Sequence, residues 1–131
     1  VDGDRLKPII DALQAIGTRV SLFMDPDLAQ IELASQIGTD RIELYTGPYA
    51  KACELNKDMD EVFQQFYRAA ERASELNIGL NAGHDLNLHN LTHFASVPQL
   101  LEVSIGHAMT VDAIEMGLSN AIWAYQHCLG K

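Results

Sequence analysis

The chain has no long hydrophobic run. No stretch approaches the roughly 18 consecutive apolar residues of a membrane-spanning helix, and the N-terminus lacks the basic region followed by an apolar segment that marks a secretory leader. A cytoplasmic protein that does not engage membranes is the expectation. Cysteine is scarce: Cys53 and Cys128 stand far apart without C-x-x-C spacing, so they are expected to be reduced thiols rather than a disulfide, zinc or redox pair. Positive charge is short as well. Nine Lys and Arg oppose 18 Asp and Glu, a net charge of −9, which gives no electrostatic footing for a nucleic-acid partner. The Walker loop, the G-x-G-x-x-G turn and the G-x-S-x-G elbow are all missing, leaving nucleotide chemistry and serine nucleophiles without support. The chain opens on Val1 rather than methionine, and its natural start is expected to lie upstream or to have been processed.

Length is the remaining shortage. A closed (β/α)₈ barrel needs about 250 residues, or roughly 31 per unit, and 131 residues therefore hold about four units. Half a barrel or a small doubly wound sheet remains.

What is present alternates strictly. Residues 4–16 place Leu6, Ile9, Ile10, Leu13 and Ile16 at helical spacing before Gly17, and Arg19–Met24 reads as a buried strand, with residues 19–24 as its bounds. Asp25 is expected to cap the next helix, with Pro26 in its first turn and Asp27 as an early acid, over about 27–37. A second strand at 41–45 closes at Thr46-Gly47-Pro48 and leads into a loop of about ten residues. The longest helix follows, presenting Met59, Val62, Phe63, Phe66, Ala70 and Ala73 on one face and stopping at Asn77. A third strand at 78–82, a short helix near 89–95 and a fourth strand at 100–105 precede a single last helix over about 108–127. That helix aligns Val111, Ile114, Leu118, Ile122 and Tyr125, with Gly117 as a weak point inside it. Four strands separated by helices imply one α/β unit built on a parallel sheet.

Parallel α/β folds collect their chemistry in the loops at the carboxyl ends of the strands. Two of these loops open with Gly-His: Gly83-His84-Asp85 after the third strand and Gly106-His107 after the fourth. Each dipeptide alone reads as a tight turn; two at equivalent places point to imidazoles aimed across a common mouth. Gly106 leads into the last helix, whose free N–H groups make an anion site, so a phosphorylated small molecule is the natural ligand. A glycine serving only the turn is the competing explanation. Glu43, inside an apolar strand, either closes an ion pair with Arg41 or another base, or faces the interior and acts on a substrate. Glu102 poses the same question nearer the start of its strand. His84, His89 and His93 suggest a metal-dependent hydrolase, although the glutamate of H-E-x-x-H is replaced by Asn90.

Five runs carry a more specific resemblance: Arg19–Asp25 (RVSLFMD), Ile42–Ala50 (IELYTGPYA), Leu80–Asn87 (LNAGHDLN), His89-Asn90-Leu91 and Val103–Ala108 (VSIGHA). In this order and spacing the chain resembles the C-terminal half of pyridoxine 5′-phosphate synthase. The resemblance implies a TIM barrel enzyme that condenses 3-amino-2-oxopropyl phosphate with 1-deoxy-D-xylulose 5-phosphate, releasing phosphate and water and closing the pyridine ring of vitamin B6. It implies that His84 is the proton donor, that Glu43 stabilises transition states, and that Asp85, Gly106 and His107 bind the amino-oxopropyl phosphate. At the position of Asp85 the family also admits glycine. No cofactor and no metal are expected, and a homo-oligomer is. The family's N-terminal half would supply another catalytic histidine and glutamate and the arginines for the second phosphate, so this chain alone is expected to be incomplete for catalysis. A phosphate-binding half-barrel module without turnover is the other reading. Half a barrel should also leave two sheet edges, at 19–24 and 100–105, to be covered.

Overall fold

The computed structural model describes residues 3–130; Val1, and with it the expectation about the chain's start, lies outside the described residues. Four parallel strands form one sheet: β1 (Ser21–Met24), β2 (Arg41–Tyr45), β3 (Gly79–Gly83) and β4 (Leu100–Ser104). They stand side by side in chain order. A doubly wound sheet reverses its strand order at a switch point, whereas successive staves of a barrel do not. The unbroken order makes the sheet half of a (β/α)₈ barrel.

Seven helices connect and flank these strands among the described residues: α1 (Gly3–Ala15), α2 (Leu28–Gln36), α3 (Gly47–Leu55), α4 (Met59–Glu75), α5 (Leu91–Phe94), α6 (His107–Met116) and α7 (Leu118–Cys128). The strands alternate between two faces. Ile42, Leu44, Leu80 and Ala82 are buried against the helices, where they meet Ile31, Tyr49, Phe63, Phe66, Phe94 and the alanines of α4. On the opposite face, the register aligns Phe23, Glu43, Asn81 and Glu102 in one row across all four strands. A bulge between Leu80 and Asn81 of β3 and their partners on β4 allows this. It resets the parity of β4, so that Leu100 and Val103, three apart, both pack on the core while Glu102 reaches the polar face.

Four local expectations change. Asp27, not Asp25, caps α2, its side chain accepting the N–H groups of Ala29 and Gln30, because the helix begins one turn residue later at Leu28. The loop expected after β2 is α3. Its signals are Pro48 in the first turn, Tyr49 and Ala52 on one buried face and Asn56 as a left-handed stop at φ 47°. The single last helix is two, α6 and α7, broken at Gly117 with φ 87° and ψ 144°. The expected apolar line breaks with it: Tyr125 is buried, whereas Ile114 is 81% and Leu118 61% exposed. Finally, β1 stands at the sheet edge expected of half a barrel and is not the buried strand that its apolar run suggests: Phe23 is 60% exposed. On α1 likewise only Ile10 is buried, with Ile9 and Leu13 exposed, as is Ile16 just beyond it. No helix among the described residues is long and apolar enough to cross a membrane.

One tie at the amino end of the sheet has a pH signature. Asp40 accepts the Val20 N–H at 2.7 Å, joining the approach to β1 to that of β2, and this bond, helped by Gln14, holds its carboxyl below the ordinary value. A lowered native pKa contributes stability above the unfolded value of about 3.9 and loses it as pH falls through the native one. Asp40→Ala should therefore destabilise the fold at pH 7, and its deficit should shrink steadily below pH 4. Urea denaturation at pH 7 and pH 3 measures this; equal deficits at both would refute the assignment.

Candidate active site

At the carboxyl edge of the sheet, a cavity of about 550 Å³ is lined by Phe23, Glu43, His84, Asp85, Ser104, Ile105, Gly106 and His107. All five residues singled out in the sequence, Glu43, His84, Asp85, Gly106 and His107, thus share one open pocket. They come from β2 and from the loops after β3 and β4, which parallel pairing brings to the same edge.

Glu43 is not the ion-pair partner of Arg41. The Arg41 guanidinium instead donates to Asn81 Oδ1 at 2.9 Å and pairs with Glu102 Oε2 at 3.0 Å, where Arg19 also reaches at 3.5 Å. Glu102 is thereby occupied by two arginines and does not line the cavity. Glu43 makes no hydrogen bond or ion pair among the described residues, and its carboxylate lies over Gly83. A Cβ on Gly83 would strike Glu43 Oε1 and come within 2.9 Å of Ser104 Cβ and 3.1 Å of the Ser104 carbonyl oxygen. Gly83 is required because the Glu43 carboxylate and the neighbouring strand at Ser104 crowd it.

The backbone turns at His84 and Asp85, not at the glycine before them. Both are in the left-handed region, at φ 94° and 58°, a conformation that costs a residue with a side chain about 1–3 kcal/mol and persists only where the surroundings impose it. The imposition is visible. Thr46 donates its N–H to the Gly83 carbonyl at 2.9 Å and its hydroxyl to the His84 carbonyl. Asn90 donates its amide to the Asp85 carbonyl at 3.2 Å. The His84 ring sits edge-on to Tyr45, centroids 5.0 Å apart, and Tyr45 in turn packs on Phe23. His84 Nδ1 lies 3.1 Å from Asp85 Oδ2, a close contact between two exposed side chains in which the carboxylate favours a proton on Nδ1. Nε2 makes no hydrogen bond among the described residues.

Gly106 differs from Gly83. Its φ of −105° suits any residue, and a Cβ there would meet nothing within 4 Å. Neither turn geometry nor packing demands glycine, so the purely conformational explanation loses its basis. The Gly106 carbonyl accepts both the N–H and the hydroxyl of Thr110 at 3.0 Å, while no side chain caps the first N–H groups of α6. Gly106 and His107, at this uncapped N-terminus, line the same cavity. No lysine or arginine lines it.

The three histidines of the metal reading are not gathered. His84 lies in the cavity, His89 precedes α5 rather than sharing its face, and His93 stacks on Phe63 at 4.2 Å between centroids. Among the described residues no three His, Cys, Asp or Glu side chains cluster as metal ligands do. Thr46 and Asn90 were not legible as site residues, since their partners are carbonyls that only the folded turn presents.

Comparison with known proteins identifies the family of the chain. Pyridoxine 5′-phosphate synthase of Parabacteroides distasonis is 49% identical over 129 residues, covering 98% of this chain and 53% of the relative. That of Porphyromonas gingivalis is 48% identical over 124 residues, covering 94% and 51%. That of Xanthomonas campestris pv. campestris is 49% identical over 125 residues, covering 95% and 48%. The chain spans about half the length of these curated relatives. A family profile described as pyridoxal phosphate biosynthesis protein PdxJ matches residues 1–131, and the chain belongs to that family.

Proposed function

We propose that this chain is the C-terminal half of a pyridoxine 5′-phosphate synthase, working in the cytoplasm as part of a homo-oligomer. In this reading the whole protein condenses 3-amino-2-oxopropyl phosphate with 1-deoxy-D-xylulose 5-phosphate. The observation that carries it is the single cavity holding Glu43, His84, Asp85, Gly106 and His107. The phosphate of the aminoketone is received by the uncapped N-terminus of α6 at Gly106 and His107, where backbone donors meet an anion without reorganising. With Asp85 beside Nδ1, the ring in its imidazolium form hands its Nε2 proton to the departing oxygen in the dehydration and ring-closing steps and is left as the neutral Nδ1–H tautomer. Glu43 faces the same space with no competing partner, as a carboxylate that steadies developing positive charge must.

The cavity is also incomplete for two phosphorylated substrates. It has no guanidinium or ammonium among its lining residues, its sheet ends at β1 and β4, and apolar side chains of α1, α6 and α7 are exposed. Four further β/α units would pair with both edges and contribute the missing cations. The expected result is that a polypeptide carrying these units forms pyridoxine 5′-phosphate from the two substrates, while the purified 131-residue chain forms none. Product from the short chain would overturn the incompleteness. No product from the long one would overturn the function, and phosphate binding without turnover would then favour the assembly module.

A further inference from the structure

We propose that Thr46 and Asn90 are a pair of positioning residues that hold His84 in its working orientation; this rests on the functional reading above. Three successive carbonyls at the turn after β3 are each held by one of the two. Thr46 takes Gly83 with its N–H and His84 with its hydroxyl, and Asn90 takes Asp85 with its amide. Both side chains are buried, Thr46 completely and Asn90 to within 4%.

Each is itself anchored from elsewhere. Thr46 directly follows β2 and leads into α3. Asn90 accepts the Asn87 N–H on its Oδ1 at 2.9 Å, and its own carbonyl accepts the Tyr49 hydroxyl at 2.9 Å from the floor of the core. The turn is therefore held from β2, from α3 and from its own far end. Buried polar side chains are retained where their hydrogen bonds specify one conformation.

The conformation they specify is the unfavourable one, with two left-handed residues that are not glycine. Releasing the His84 carbonyl frees the peptide between His84 and Asp85 to rotate into ordinary backbone space. That rotation alters ψ of His84 and φ of Asp85, re-aims the Asp85 side chain and separates its Oδ2 from His84 Nδ1. The α6 N-terminus, on the neighbouring strand's loop, is untouched. A loosened clamp should therefore reduce the chemical step and leave phosphate binding in place.

The test uses the full-length protein. Thr46→Val keeps the shape and the N–H but removes the hydroxyl; Thr46→Ser keeps the hydroxyl and removes the methyl. Thr46→Val is expected to lower kcat about 10- to 100-fold with KM for the aminoketone phosphate within about twofold, and Thr46→Ser to stay within about threefold of the parent. A merely structural role for the side chain predicts the reverse order, since serine loses the packing methyl. The second readout is the ¹⁵N imidazole signature of His84, expected as the Nδ1–H tautomer in the parent and in Thr46→Ser and as a mixture in Thr46→Val. Should Thr46→Val not fold, Thr46→Ala, which places no methyl against the His84 carbonyl, is read the same way. An unchanged kcat, or an unchanged tautomer in the hydroxyl-free variant, overturns the proposal. If the parent forms no product, the functional reading fails and the tautomer decides the clamp alone.

Discussion

In the full-length protein, His84→Asn should lower kcat by about 10²–10⁴-fold, the range expected for loss of a positioned proton donor. Asparagine is the informative replacement. His84 sits at φ 94°, a region that asparagine enters more readily than most residues, so the turn survives while the titratable ring is lost. The carbonyl bond from Thr46 and the Asp85 carbonyl bond from Asn90 do not involve the ring, and neither does the helix N-terminus at Gly106. The loss should thus fall on kcat, with KM for the aminoketone phosphate within a few-fold of the parent and the denaturation midpoint nearly unchanged. Steady-state kinetics by product formation, with a urea melt on the same preparation, separates the two. A variant that keeps the parent's kcat would remove His84 from the chemistry.

That the cavity residues could be named from the sequence follows from a topological fact. In a parallel sheet every strand's carboxyl end lies at the same edge, so Glu43, Gly83-His84-Asp85 and Gly106-His107 needed only correct strands to become neighbours. Composition and spacing supply those strands. The fate of Glu43 was not legible in that way. Choosing between an ion pair with Arg41 and a free carboxylate depended on Glu102 lying beside Asn81, which the bulge opposite Leu80 and Asn81 decides. Periodicity could not foresee an inserted residue. Nor could it foresee that the turn after β3 is made by His84 and Asp85, because a Gly-His pair suggests the glycine as the flexible member. Exposure of Ile16, Phe23, Ile114 and Leu118 is a third case. Their spacing marks them for burial, but a sheet of four staves has no surface to bury them against.

The two glycines of the site make opposite predictions, and Gly83→Ala has the larger effect. A methyl at position 83 meets the Ser104 backbone, which cannot yield without parting β3 from β4, and it meets the Glu43 carboxylate, which can. The cheaper relaxation is to push Glu43 out of place, with a remaining overpacking cost of about 1–3 kcal/mol in stability. Gly83→Ala should therefore lose both stability and nearly all the activity that Glu43→Gln loses, while Glu43→Gln loses activity only. Combining them should cost little more activity than either alone, since both remove the same carboxylate from the same place. Gly106→Ala is the control: its methyl points into open space on ordinary backbone, so the fold should melt like the parent and only affinity for the phosphorylated substrate should fall. Activity losses that multiply in the double variant would show that Gly83 acts independently of Glu43, and a Gly106→Ala protein that unfolds early would return that glycine to a packing role.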